Sequence, residues 1–555
     1  MKLLKPMVLV FLISSLMFGQ SNAPAPAQKS DDAIANKIQS LEDAIAQQQQ
    51  QIEELRKELA DKKNADSTPH LTNASLTANV STSTTGTAVQ ETEKPKESPL
   101  SFRIGGMDFT PGGFMDFQNI FRTVNTGSVV STSFGVIPFS NTAAGHLTEY
   151  RATGQYSRWN MKVGGKYGAN NITGYIEGDF NGNDAANVFA TTNPHTLRLR
   201  LYFADIKRGI WEITAGQAWS LITPNRVGTS PMPSDLATTY SLDGNILVGM
   251  PYSRDGQFRL TVRPNDAFSW AVAIDNPQQF TAGTVTAPTV FNGVLTNTGS
   301  GQSQLDGNAT GGTPNLFPDI MSKMAFDTKL GGRLFHLEGG GLVTSAKISV
   351  LPTAGSGITN FSSHSSIGAG GMGGFNFELV KNFRIMAYGV YGSGIGRYFN
   401  GTGPQFVVAP VPIGTGFNVV TSMVHSGAGY GGTEFQLGKT QIGAYYGAYY
   451  FQRSSFNDLT AAAIATPISC APGLAPVNRP CIGFGGANSA NNNNRDIQEG
   501  SIVLQQTLWK NPQYGALLLI NDASYTSRSP WFVAAGAPKN AHMFMDHLAL
   551  RYVIP

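Results

Sequence analysis

A chain of 555 residues with only 14% charged residues and a formal net charge of +3 gives no reason to expect nucleic acid as a partner. Its 63 Gly stand well above the usual ~7%, and its charge lies well below the usual ~25%. Two cysteines alone, Cys470 and Cys481, exclude a scaffold built on many disulfides.

Met1 to Met7 carries Lys2 and Lys5, and Met7 to Phe18 is apolar apart from Ser14 and Ser15. Small residues follow at Gly19 and Ser21, so the pattern predicts a signal peptide over 1–21, cleaved near Ser21 or Ala23. The alternative is an N-terminal anchor helix. No Cys lies near this segment, which argues against lipoprotein processing. Beyond it no run of eighteen apolar residues occurs, so no membrane-spanning helix is expected.

From Asp31 to Asp61 the chain is polar and lacks Gly and Pro. Ile34, Ile38, Leu41, Ile45, Ile52, Leu55 and Leu59 step by four and three, with Gln48 in the gap. This predicts a coiled coil over 31–61, roughly 39 Å long at helical rise; a single amphipathic helix is the other reading. Ile at a and Leu at d favour two strands, and Gln48 at d would fix register. Residues 62–99, rich in Ser, Thr, Asn and Ala, read as a disordered linker.

From residue 100 to 555 one pattern repeats: a strand of period two, a very short turn, another strand, then a long polar loop. Trp159, Met161, Val163, Gly165 and Tyr167 alternate with Arg158, Asn160, Lys162, Gly164 and Lys166. Ile172, Gly174, Ile176, Gly178 and Phe180 alternate with Thr173, Tyr175, Glu177 and Asp179. Leu197, Leu199, Leu201 and Phe203 are expected on one face, against Arg198, Arg200 and Tyr202. Phe258, Leu260 and Val262 interleave with Arg259 and Arg263, and Phe268, Trp270, Val272 and Ile274 continue the pattern.

Seven short turns can be marked, at 168–171, 208–210, 264–266, 328–332, 380–382, 438–440 and 510–513. Eight long connections alternate with them, near 124–147, 181–196, 220–252, 277–318, 346–364, 399–422, 455–497 and 529–540. Fifteen connections make sixteen strands, with fourteen or eighteen as the neighbouring counts. The reading is an all-β transmembrane antiparallel barrel with both termini on the short-turn side, the periplasm in outer-membrane barrels. The last strand, with Phe544, Asp546, Leu548, Leu550, Tyr552 and Ile554 on one face, apolar except Asp546, would close the ring.

Six motifs in order carry a resemblance. They are Tyr175-Ile-Glu-Gly-Asp-Phe180, Leu197-Arg-Leu-Arg200, Ala215-Gly-Gln-Ala-Trp219, Asp275-Asn-Pro277, Pro318-Asp-Ile320 and Gly392-Ser-Gly-Ile-Gly-Arg-Tyr398. With them the region from about Leu100 resembles the DcaP-like family of trimeric outer-membrane porins, as does a short coiled coil ahead of the barrel. The resemblance implies a sixteen-stranded homotrimer in outer-membrane lipid, inserted by the barrel-assembly machinery and passing small anionic solutes such as dicarboxylates. The chain ends in Ile554-Pro555 where the family pattern has an aromatic residue.

The barrel part keeps a mild basic excess in which Arg outnumbers Lys. Arg151, Arg158, Lys162, Lys166, Arg198, Arg200, Arg259 and Arg263 fall on polar faces, with Glu177 and Asp179 among them. Guanidinium forks suit carboxylates, and a ring of them in a pore selects anions. The alternative is a salt-bridge ladder along the wall, and the two can coexist. By analogy with the class, the 220–252 loop, carrying Arg226, Asp235 and Asp243, folds inward as a constriction. Cys470 and Cys481 share one external loop and are expected to pair.

Gly438-Lys-Thr440 sits at a turn and lacks the first glycine of a phosphate loop, the eight His show no ligand spacing, and no Ser/His/Asp arrangement stands out. No catalytic residue, metal or cofactor is therefore expected. A diffusion porin is the leading function; a tether using the coiled coil and a barrel enzyme are the alternatives.

Overall fold

The structure, a computed structural model, describes residues 98–555 except 129, 183–194, 233–238, 241–245, 278–284, 292–314, 351–359 and 414–415. The expected signal peptide, coiled coil and nearly all of the linker lie outside the described residues.

Alternating apolar and polar residues favour strands that show one face to lipid and one to the interior. The first is β1, Met107–Arg122. The second, β2, comes in two pieces, Glu149–Thr153 and Arg158–Tyr167, both paired along one edge of β1. Ser157 repairs the break. Its Oγ accepts from the Asp116 N–H at 3.0 Å, standing in for a missing ladder bond. There follow β3 (Asn170–Asp179), β4 (Arg198–Arg208), β5 (Trp211–Trp219), β6 (Arg254–Asn265), β7 (Phe268–Asp275) and β8 (Asp319–Leu330). Then come β9 (Arg333–Val350), β10 (Ser362–Val380), β11 (Phe383–Ser393) and β12 (His425–Leu437). The last four are β13 (Thr440–Phe451), β14 (Asn494–Asn511), β15 (Gly515–Pro530) and β16 (Ala541–Val553).

Each strand pairs antiparallel with the next, and β16 returns to β1 from Phe114↔Val553 to Arg122↔Met545. The ring is closed at sixteen strands, so the barrel has no edge strand. The short and long connections alternate at the places the sequence marks. Ser98 Oγ donates to the Pro555 carbonyl at 3.0 Å, so the two ends of the described chain meet at the short-turn rim.

At the other rim, β9 and β10 run on beyond their neighbours. A hairpin, Phe406–Ile413 with Gly416–Met423, packs on them around Phe291, Ile348, Val350, Phe406 and Val408. A second pair, Ser454–Asn457 with Cys481–Phe484, joins this cap through the Thr286–Gly483 bridge. Asp458 ties the cap together by accepting from Thr289 N and Oγ1 at 2.8 and 2.7 Å and from Thr460 N at 3.0 Å. Burial raises its pKa, but the hydrogen bonds from Thr460 and Thr289 outweigh this and hold it below the usual carboxylate range. The stabilisation is therefore present above the unfolded pKa and is lost as pH falls through the folded one.

Facing follows the sequence on β2, β3, β6, β7 and β16, but not throughout β4. Arg200 bulges between Leu199 and Leu201 where the β3 register shifts at Glu177/Gly178. A bulge adds one residue and so reverses every later side chain. Leu199 faces out, while Leu201 is 0% exposed, Phe203 is buried and Tyr202, 39% exposed, takes the outer face. The expected outward placing of Leu201 and Phe203 is thus corrected. A lipid-quenchable fluorophore on a cysteine at 202 should be quenched by brominated lipid, and one at 201 should not; the reverse result would remove the bulge.

Candidate pore wall and inward segment

The inner wall from β1 to β4 is a chain of ion pairs. Glu177 and Asp179 of β3 point inward beside Arg158 of β2 and Arg198 and Arg200 of β4. Arg200 Nε donates to Glu177 at 2.8 Å and its Nη1 to Asp179 at 2.7 Å. Arg198 holds Asp179 through two bonds, at 3.0 and 2.7 Å, and Arg158 lies 3.7 Å from Glu177. Among the described residues, three guanidinium groups thus share these two carboxylates. Arg151 stands 3.4 Å from Glu149, which Arg122 also holds at 2.9 Å.

Other expected residues fall elsewhere. Lys162 points inward, half-buried, and Lys166 is exposed at the short-turn rim. Arg263 pairs with Glu212 on β5. Arg259 is buried and donates to Gln257 at 3.0 Å, to the Thr229 carbonyl at 3.1 Å and to the Trp219 carbonyl. Among the described residues, the arginines of this wall are thus held by ion pairs and hydrogen bonds between neighbouring strands.

The segment after β5 runs inside the barrel, and Arg226 is one of its anchors. Its guanidinium donates to both oxygens of Glu434 on β12, at 2.8 and 2.5 Å. Asp235 and Asp243 lie outside the described residues. Inward carboxylates of four more strands take backbone N–H groups of this strap. Asn225 donates to Glu338 at 3.0 Å, Gly228 to Asp327 at 2.9 Å, Tyr240 to Asp522 at 2.6 Å and Val248 to Glu499 at 2.8 Å. Tyr388 and Tyr449 donate their hydroxyls to the Ile222 and Met250 carbonyls, at 2.9 and 3.1 Å. The described residues of this strap form no helix or strand, and buried N–H groups outside such ladders need acceptors. The barrel supplies them as carboxylates.

Sequence reading missed these acceptors, and also Arg551, which pairs with Asp116 and lies over the Phe114 and Tyr240 rings. Their one sequence signal is parity: each occupies an inward position of a period-two strand. What each acceptor would hold depends on where the strap runs, and that has no local pattern.

Cys470 and Cys481 are joined, their sulfurs 2.17 Å apart. For a loop this short, chain entropy gives roughly 3 kcal/mol of local stabilisation. Purified protein should resist alkylation until reduced; two thiols labelled without reductant would contradict the pairing. Among the described residues no group of His, Cys, Asp and Glu is placed to hold a metal ion.

No protein-family model matches the chain, and no curated protein matches it in sequence. Among solved structures it is similar to the outer membrane channel DcaP of Acinetobacter baumannii. The match has a TM-score of 0.51 at 15% identity and covers 81% of this chain and 98% of that one. The chain has the fold of that channel. An anion-selective porin from Comamonas acidovorans matches at 9% identity and TM-score 0.41, over 81% of this chain and all (100%) of that one. OprB of Pseudomonas putida matches at 12% and 0.39, over 80% and 94%. At these identities the likeness is one of fold.

Proposed function

We propose that this protein is an outer-membrane diffusion channel for small hydrophilic solutes, that it favours small anions such as dicarboxylates, and that it works as a homotrimer without catalysis. The observation that carries the reading is the inner wall of β16 and β1 to β4. Arg122, Arg158, Arg198, Arg200 and Arg551 point inward there, with Asp116, Glu149, Glu177 and Asp179 between them. Fixed guanidinium forks along a confined channel raise the local concentration of anions. The apolar outer face, with Phe117, Leu199, Leu260, Trp270 and Leu548 exposed, suits hydrocarbon.

On this reading the signal peptide delivers the chain to the envelope and the barrel-assembly machinery inserts it. The short-turn rim, with both termini, faces the periplasm, and the loop cap with its disulfide faces outward. The strap anchored by Arg226 narrows the path, and the likeness to DcaP, itself an outer membrane channel, supports the assignment.

Liposome swelling tests the reading. Vesicles carrying the protein should swell faster in a small dicarboxylate than in a diamine of similar size. Swelling no faster than in empty vesicles would remove the channel; equal rates would remove the anion preference.

A further inference from the structure

We propose that Asp275 and Asp319 share one proton, and that this carboxyl pair is a pH-sensitive latch on the end of the strap. Three of the motifs marked in the sequence meet here. Asp275-Asn-Pro277 ends β7, Pro318-Asp-Ile320 opens β8, and Gly392–Tyr398 closes β11 with a short 3-10 turn. Asp275 and Asp319 stand directly opposite each other in the β7–β8 register, and both are buried on the inner side. Side chains so paired lie roughly 5 Å apart at Cβ.

Two ionised carboxylates there would lack donors. Tyr398 Oη donates to Asp319 Oδ2 at 2.7 Å, and Arg397 donates to the same oxygen. Asp319 Oδ1 has no hydrogen-bond partner, and neither has either oxygen of Asp275. The other charged groups facing Asp275 are Asp255 and Arg259 of β6, and Arg397. Arg259 gives its protons to Gln257 and to two carbonyls, and Arg397 Nη1 lies 3.9 Å from Asp255. Like charges directly opposite on a sheet repel, and a buried carboxylate without a donor is costly. One proton on Asp275 removes a charge and lets its hydroxyl donate to Asp319 Oδ1, the acceptor left over. A bound cation would answer the same need, but among the described residues no three ligands are placed to hold one.

The pair holds more than itself. Asp319 fixes Arg397 and Tyr398, and the Tyr398 carbonyl accepts from Tyr252 N–H at 3.1 Å. Tyr252 Oη also donates to Asn400 at 3.0 Å. Tyr252 lies two residues before β6, so the strap's end is tied to β8 through this turn. Loss of the proton sets two like charges face to face and gives Arg397 a second carboxylate to pair with. The latch therefore holds while the pair is protonated and loosens as pH rises. On the channel reading above, the freed strap end moves from the wall into the path.

Infrared difference spectra of full-length protein in vesicles, stepped from neutral to alkaline pH, test the shared proton. The parent should lose a carboxylic-acid C=O band that Asp275→Asn lacks from the start. Should that variant fail to fold, Asp319→Asn reads the same band, which should shift as its acceptor changes. A spectrum that neither variant alters would overturn the shared proton, as would a missing band with a stability that falls on adding a chelator. Conductance tests the latch: it should fall at alkaline pH in the parent and hold its neutral value in Asp275→Asn. Equal pH dependence in both would overturn the latch. A silent bilayer would remove the channel reading and leave the infrared result to decide the proton.

Discussion

Replacing Gly447 with Val should lower single-channel conductance several-fold. Gly447 faces the interior of β13, and a Cβ there would lie 1.9 Å from the Val248 carbonyl of the strap. The contact is backbone to backbone, so no side chain can turn aside to relieve it. The strap is equally tight one residue on, where Gly249 holds φ +93° and its own Cβ position falls 2.2 Å from the Gly429 carbonyl. A valine therefore lifts the strap from the wall and separates the Val248 N–H from Glu499. The anchor at Asp522, with Thr239 and Tyr240, stays in place, so the strap shifts at one end rather than leaving. Gly500→Ala on the neighbouring strand is the control. Its Cβ would meet nothing within 4 Å, and conductance should not change. A folded Gly447→Val protein conducting like the parent would mean that this stretch of strap does not border the path.

The second large effect is on ion choice. Replacing Arg198 and Arg200 together with Ala should move the reversal potential toward cations. The cluster then changes from three guanidinium groups over Glu177 and Asp179 to Arg158 alone over both. The cluster loses two positive charges. The loss also leaves two buried carboxylates short of partners, and breaking a buried pair in this way costs about 3–5 kcal/mol. The double Ala protein should therefore unfold at lower denaturant in vesicles. The double Lys protein separates the two effects: it keeps the charge and the selectivity but loses the forked geometry, and with it part of the stability. The shift in reversal potential should shrink as salt rises, because screening acts on charges that solvent reaches, here the half-buried Arg198 rather than the buried Arg200. An unchanged reversal potential in the double Ala protein would make the cluster a structural ladder and nothing more.

Local pattern carried much of this architecture. Alternation along residues 158–180 and 258–275 is unbroken because each strand there separates lipid from interior residue by residue. The parity of short and long connections then set the number of strands. The pattern misleads at Arg200, where a bulge reverses the face of Leu201 and Phe203. Nothing in Leu197-Arg-Leu-Arg-Leu201 marks an extra residue, because the register is decided by the partner strand at Glu177 and Gly178. The wall residues Arg158, Arg198 and Arg200 were legible as inward-facing, but their partners were not ranked by sequence distance: Arg200 reaches both Glu177 and Asp179 across the bulge. The strap anchors were least legible of all. Glu338, Glu434, Glu499 and Asp522 lie far from residues 220–252 in sequence, and only the closed ring brings them to it.

Single-channel recording of purified full-length protein in planar bilayers bears most directly on the account. Conductance steps grouped in threes are predicted, with a reversal potential on the anion side in a salt gradient and a preference that weakens as ionic strength rises. A silent bilayer, with protein shown to be inserted, or a reversal potential on the cation side would contradict it.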